Sequence, residues 1–116
     1  MQRVTLYHNP GCKSSRGAME LLNGRKVEFE TIEYLKHPPT RAALEAIIAI
    51  LEGPVADLVR KDKRFGELGL AAADYVTKDT VVALLLEHPE LMQRPIVIRD
   101  GRAVIARPPE KLLALL

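Results

Sequence analysis

Apolar and polar residues alternate at the start of the chain. Val4 and Leu6 share one face and Thr5 and Tyr7 the other, the period-two pattern of a strand. His8-Asn9-Pro10-Gly11-Cys12 breaks that pattern with turn-forming residues. Ser14 and Ser15 are suited to cap a helix, and Ala18, Leu21 and Leu22 follow at helical spacing up to the stop signal Asn23-Gly24. Val27 to Tyr34 predicts a second strand, with Val27 and Phe29 on one face. In such a β-turn-α-β unit the strands lie parallel, because only the right-handed crossover packs the helix back onto the sheet.

His37-Pro38-Pro39 closes this unit, and Thr40 caps a helix whose Leu44, Ile47, Ile48 and Leu51 fill the i, i+3, i+4, i+7 template. Gly53-Pro54 ends it, a shorter helix covers Val55 to Val59, and a polar stretch runs on through Arg64. Thr77 caps a further helix with Val81, Leu84 and Leu85 on its apolar face, stopped before Pro89. Ile96-Val97-Ile98 and Val104-Ile105, joined through Asp100-Gly101, predict a β-hairpin. Pro108-Pro109 opens a last helix carrying Leu112, Leu113 and Leu116. The order β-α-β, helices, β-β-α is that of an α/β, thioredoxin-like fold: a mixed four-stranded sheet with a helical insertion at residues 40 to 88. With no repeat, low-complexity tract or linker in view, a single domain over residues 1–116 is expected.

Composition supports a packed core, since 47% of the 116 residues are hydrophobic and the charged fraction of 28% is ordinary for a globular chain. A net charge of +2 is too small for a nucleic-acid or membrane-surface footprint, so any use of positive charge has to be local. The longest aliphatic run, Val81 to Leu86, falls far short of the roughly 20 residues of a membrane helix. Met1 to Pro10 holds no apolar run of signal-peptide length. A cytoplasmic location, without nucleic-acid or membrane partners, is the expectation.

Cys12 is the one cysteine. It has no partner for an internal disulfide, and with three histidines in the chain it does not make a structural zinc site, so no metal is expected. A lone cysteine is most often a small buried hydrophobe. The setting of this one differs: it follows a strand and a Pro-Gly turn and stands at the mouth of a helix. Unpaired N–H groups and the helix dipole favour an anion there, and the same field stabilises a thiolate. Lys13 and Arg16 lie within one turn. The position at which a self-sufficient Cys-x-x-Cys redox pair would carry its second thiol is Ser15. An adduct or mixed disulfide on Cys12 therefore needs a thiol from outside the chain to resolve it.

Arginine suits a tetrahedral oxyanion because its planar fork donates two parallel hydrogen bonds. Arg60 ends the short apolar helix, Arg94 precedes Pro95 and a hydrophobic strand, and Arg107 follows a strand and precedes Pro108. Taken singly, each also fits a solvated surface charge. Arg94 and Arg107 flank the two strands of one hairpin, which places them at the same end of the sheet.

These segments together resemble the arsenate reductase family that draws electrons from glutathione and glutaredoxin. Tyr7-His8-Asn9-Pro10-Gly11-Cys12-Lys13-Ser14-Ser15-Arg16 is similar to its catalytic loop, and Tyr34-Leu35 through Pro38-Pro39-Thr40-Arg41 to its second signature. Leu58-Val59-Arg60-Lys61, Glu67-Leu68-Gly69-Leu70, His88-Pro89, Arg94-Pro95-Ile96-Val97 and Arg107-Pro108 resemble the rest. The ending Arg107-Pro108-Pro109-Glu110 is similar to the family's chromosomal branch. The resemblance implies that Cys12 is the nucleophile, that Arg60, Arg94 and Arg107 bind arsenate, and that His8 supports the thiolate or the anion. It implies supporting places for Ser15 and Arg16, and a cis-proline at Pro95. Cys12 would attack arsenate with loss of water, glutathione would attack the adduct, and glutaredoxin would free the cysteine. Glutathione is then a co-substrate, with no bound cofactor. Two alternatives stand beside this: a general glutathione-dependent thiol oxidoreductase, and an RNA polymerase-binding regulator of the Spx type. The regulators commonly carry a Cys-x-x-Cys switch, which Ser15 removes.

Overall fold

Strand β1 (Val4–His8) is hydrogen-bonded along both edges: parallel to β2 (Phe29–Glu33) on one side and antiparallel to β3 (Ile96–Arg99) on the other. β4 (Arg102–Ile105) continues the hairpin from β3, giving a four-stranded mixed sheet in the order β2-β1-β3-β4. This computed structural model describes residues 3–116; Met1 and Gln2, the first residues of the expected domain, lie outside the described residues. The architecture is α/β and thioredoxin-like, as the element order predicts. Helices α1 (Lys13–Gly24), α2 (Arg41–Ile50), α3 (Lys63–Glu67) and α4 (Lys78–Glu87) complete it, together with single 3₁₀ turns at Val55–Leu58, Ala72–Asp74 and Pro89–Leu91 and a longer 3₁₀ segment, Pro109–Leu115.

The sheet is covered on both faces, which is why Val4, Leu6 and Tyr7 are buried although they point to opposite sides of β1. Val4 and Leu6 pack with Ala18 and Leu22 of α1 and with Leu112 and Leu115 of the C-terminal segment. On the opposite face, Tyr7 and Ile96 pack with Leu44 and Ile47 of α2 and Val81 and Leu85 of α4. The C-terminal segment approaches α1 closely at Gly17, where a Cβ would stand 2.8 Å from Pro109 Cγ. Thr40 caps α2 by accepting from Ala43 N–H at 3.1 Å, and Thr77 and Thr80 form a reciprocal capping box on α4.

Several expected boundaries move, each for a local reason. The first residue of α1 is Lys13 and its N-cap is Cys12, so Ser14 and Ser15 fall inside the first turn and do not cap it. β2 starts at Phe29 because Lys26 turns through a left-handed φ of 56° and Val27 N–H returns to Leu22 O at 3.1 Å. Tyr34 lies just past the other end of that strand. Leu51 leaves α2 in an extended conformation and bridges Ala103, and Val59 does the same toward Met92. The polar stretch after Arg60 holds α3, started by Asp62 Oδ1 accepting from Phe65 N–H at 3.1 Å. The last segment winds at roughly three residues per turn, so Leu112 and Leu115 stack toward the core while Leu116 is exposed.

Because Leu112 is fully buried beneath α1 and the sheet, Leu112→Ala is expected to lower unfolding free energy by about 2–5 kcal/mol, measured as a shift of the urea midpoint. An unshifted midpoint would mean the C-terminal segment is not part of this core.

Candidate active site

The loop joining β1 to α1 is folded by its own polar groups. Asn9 O accepts from Cys12 N–H at 3.0 Å and Asn9 Oδ1 from Gly11 N–H at 2.9 Å, so one asparagine closes the turn twice. Ser15, fully buried, reaches back from α1: its Oγ accepts from Asn9 N–H at 3.0 Å and shares a 2.7 Å hydrogen bond with His8 Nδ1. These bonds leave Cys12 in extended backbone conformation (φ −100°, ψ 126°) at the N-cap of α1. At an N-cap, a side-chain acceptor faces the N–H groups of the second and third helical residues, here Ser14 and Ser15.

The electrostatics of Cys12 follow from that position. Burial pushes the half-buried thiol up, but the Ser15 N–H, the Arg94 and Arg107 guanidinium groups and the Ser14 N–H all favour the thiolate. Together they outweigh burial and hold its pKa below the ordinary thiol range. Neither serine N–H sits in full hydrogen-bonding geometry on Sγ, so their effect is that of nearby, aligned dipoles. The direct contact is from Arg107, whose Nη1 lies 3.4 Å from Sγ and also donates to Arg94 O at 3.0 Å. Lys13 and Arg16 are exposed and are not among the groups that stabilise the thiolate. The expected local charge is therefore supplied from the far end of the chain, not from the neighbours in sequence.

His8 is 5% exposed and has no hydrogen bond to Sγ among the described residues. Burial lowers its pKa, and the charge of Glu33 with the backbone of Ser15 offsets this only in part, so the ring is neutral. Ser15 Oγ accepts from Asn9 N–H and has both its proton and a second lone pair left for Nδ1, so either neutral tautomer of the ring satisfies this bond. His8 thus reaches Cys12 through Ser15.

Of the three expected arginines, Arg94 and Arg107 converge on Cys12. Arg60 is brought to the same neighbourhood by its backbone: its N–H donates to Leu91 O at 2.6 Å and Gln93 N–H to Leu58 O at 2.8 Å, alongside the segment leading into Arg94. Its guanidinium, however, rests on Asp62, donating from Nε at 2.9 Å, and does not contact Sγ. Asp62 therefore caps α3 and holds Arg60 with its two carboxylate oxygens. Arg94 is held loosely, with Nη1 3.4 Å from Glu90 O and a buried Nε without a partner. The Arg94–Pro95 peptide bond is cis, and so is Arg107–Pro108. Pro95 is buried beside the β1 end.

Asp62 and the second cis bond had no place in the sequence reading, and Asn9 entered it only as a turn residue of the loop. Asn9-Pro10-Gly11 carries an Asx-turn signal, whereas the pairing of Asp62 with Arg60 depends on a helix of only five residues that a polar stretch concealed. Two grooves reach residues next to the site, though Cys12 lines neither. One, of about 680 Å³, is bordered by Arg107, Val59, Lys61, Gln93, Ile105 and Lys111. The other, of about 560 Å³, lies along Lys13, Ser14, Arg16, Gly17, Pro109 and Glu110. Among the described residues no three His, Cys, Asp or Glu side chains cluster as metal ligands. No described helix is long and apolar enough to cross a membrane.

A half-buried sulfur at a helix mouth, touched by one guanidinium group with a second acting on it, on a thioredoxin-like scaffold, defines the class: a single-cysteine thiol site suited to an anionic electrophile. The ArsC family profile matches residues 7–115, and the chain belongs to that family. It is 39% identical to the arsenate reductase of Escherichia coli (strain K12), over 100% of this chain and 82% of that protein. The protein YfgD of the same organism is 36% identical over 98% of this chain and 97% of its own length. The structure of an arsenate reductase from Vibrio cholerae superposes with a TM-score of 0.88 at 34% identity, covering 98% of both chains.

The thiolate fraction rises with pH, so a depressed pKa moves the half-point of Cys12 alkylation by iodoacetamide below that of a free thiol, with the rate levelling off above it. Arg107→Ala removes a stabilising contact and is expected to move that half-point upward. An unmoved half-point would show that Arg107 does not support the thiolate.

Proposed function

We propose that the protein reduces arsenate to arsenite, using Cys12 as nucleophile and thiols from outside the chain as reductant. The observation that carries this is the contact of Arg107 with Cys12 Sγ, at 3.4 Å, beside Arg94 and the first turn of α1. A thiolate alone fits many electrophiles. A thiolate shared with guanidinium donors and helix N–H groups fits one that arrives as a tetrahedral oxyanion. The proteins from Escherichia coli and Vibrio cholerae that carry the name arsenate reductase support the choice of arsenate.

In this mechanism arsenate docks against Arg94 and Arg107 with one oxygen protonated, and the Cys12 thiolate attacks arsenic. That oxygen leaves as water after taking a second proton, and an S–As(V) bond forms. The thiolate of glutathione then attacks Cys12 Sγ. The electron pair of the S–As bond passes to arsenic, which departs as arsenite, and a Cys12–glutathione disulfide remains. A glutaredoxin thiol attacks the glutathione sulfur and releases Cys12 as thiolate. Two electrons reduce arsenic and two thiols become one disulfide. The chain supplies the first thiolate only, since Ser15 occupies the place of a resolving cysteine. The groove bordered by Arg107, Lys61 and Lys111 also carries Glu52 and Asp57, so it presents both signs of charge to a thiol peptide. Arg60 enters as a third anion ligand by exchanging Asp62 for substrate oxygen. Neutral His8 orients Ser15 and keeps the loop closed; no resident cofactor or metal is invoked. A reaction on small soluble thiols and oxyanions suits the cytoplasm.

The test is arsenite production from arsenate with glutathione and glutaredoxin supplied and withheld in turn. Full turnover is expected with both, and less than one arsenite per protein with neither. Cys12→Ser should abolish it, and Arg94→Ala or Arg107→Ala should raise KM for arsenate by about 10–100-fold, the loss of one charged hydrogen-bonding partner. Turnover by Cys12→Ser, or protein that alkylates normally yet makes no arsenite with both thiols present, would sink the proposal.

A further inference from the structure

Tyr34 is wholly buried, and no group sits in hydrogen-bonding geometry on its hydroxyl. Buried polar groups are nearly always partnered, and an orphaned one is costly. A second orphan is Arg94 Nε, also sealed from solvent. Both lie at one end of the sheet: Tyr34 follows directly on Glu33, which pairs with His8, and Arg94 stands two residues before Ile96, which pairs with Tyr7. Tyr34 packs in the same core cluster as Tyr7 and Ile96. The charge of Arg94 and the amide of Asn9 both act on the Tyr34 hydroxyl, whose proton is nonetheless held by burial.

We propose that Tyr34 is a positioning residue for Arg94: its hydroxyl oxygen accepts a hydrogen bond from the buried Nε–H of Arg94 when an oxyanion docks at Cys12. The anion-free site leaves both atoms unpaired. Docking draws the guanidinium toward the thiolate, and the phenol then fixes the plane in which its outer nitrogens donate to the anion. Fixing that plane is what a bidentate grip requires, since the fork has to match the oxygens of the ligand in orientation as well as distance. The inference rests on the oxyanion reading of the site given above.

The experiment is protection of Cys12 from alkylation by arsenate, with phosphate and sulfate in parallel arms, on the wild type, Tyr34→Phe, Arg94→Lys and the double variant. Tyr34→Phe keeps the ring that fills the core and removes only the unpaired oxygen, so its thermal midpoint should equal or exceed that of the wild type. Its alkylation half-point in pH, without anion, should not move. Half-protection should need about tenfold more arsenate, the size of one charge-assisted hydrogen bond. In the Arg94→Lys background Tyr34→Phe should add nothing, because lysine has no plane to fix. Half-protection of Tyr34→Phe at the wild-type concentration would overturn the proposal, as would an effect undiminished in Arg94→Lys. A second measurement needs no variant of Tyr34: hydrogen exchange of Arg94 Nε–H, assigned by its loss in Arg94→Lys, should slow when arsenate is added, and unchanged exchange counts against the pairing. If no anion protects the wild type, the oxyanion reading fails and this inference with it. If anions protect the wild type and Arg94→Lys weakens protection while Tyr34→Phe does not, this inference fails alone.

Discussion

The constraint on which the site depends is that a half-buried sulfur has its pKa drawn down against the opposing effect of burial. Burial opposes the thiolate charge, and α1 offsets the opposition by presenting its first free N–H groups to Cys12 at the N-cap. An ordinary helix begins with a serine, threonine or aspartate oxygen in that place. Here a thiol occupies it, so the groups that would otherwise be satisfied by a cap are turned on the nucleophile. The helix start is thereby incomplete in its resting state, and the two guanidinium groups make up the difference.

The sheet is the frame that makes this possible. β1 carries the loop and His8, β2 leads into Tyr34 at the same end, and β3 and β4 hold Arg94 and Arg107 there too. No single loop contains the site. It is a cross-section through the carboxyl end of β1, and its precision comes from hydrogen-bonded register, which is stiff, while the loop provides only the turn. The apolar packing on both faces fixes that register, because a slip by one residue would exchange the residues facing α1 for those facing α2 and α4.

How far the sequence discloses this depends on the range of the interaction. Strands and helices with strong periodicity were legible: Val4 to Tyr7, Thr40 with Leu44 and Ile47, and Ile96 through Ile105 all formed as their patterns require. So was the exposed logic of a cysteine at a helix mouth with serine three residues on. Boundaries set by backbone bonds between segments were not, as with Leu51, which leaves α2 to bridge Ala103 of β4, and Val59, which bridges Met92. The Ser14 and Ser15 assignment failed because cysteine, rarely a cap, took the position one helical start earlier. The source of positive charge also escaped a local reading. Lys13 and Arg16 are near in sequence and face outward, while Arg107 is distant in sequence and touches Sγ. The commitment of Arg60 to Asp62 depended on α3, whose single turn lacks enough residues to show a period.

The contact between residues 12 and 107 joins points 95 positions apart. During synthesis the ribosome releases Cys12 long before Arg107, and before β3 exists to carry Arg94. Until the last strands dock, the cysteine has at most the helix N–H groups beside it and lacks both guanidinium groups. The full depression of its pKa therefore requires the completed fold.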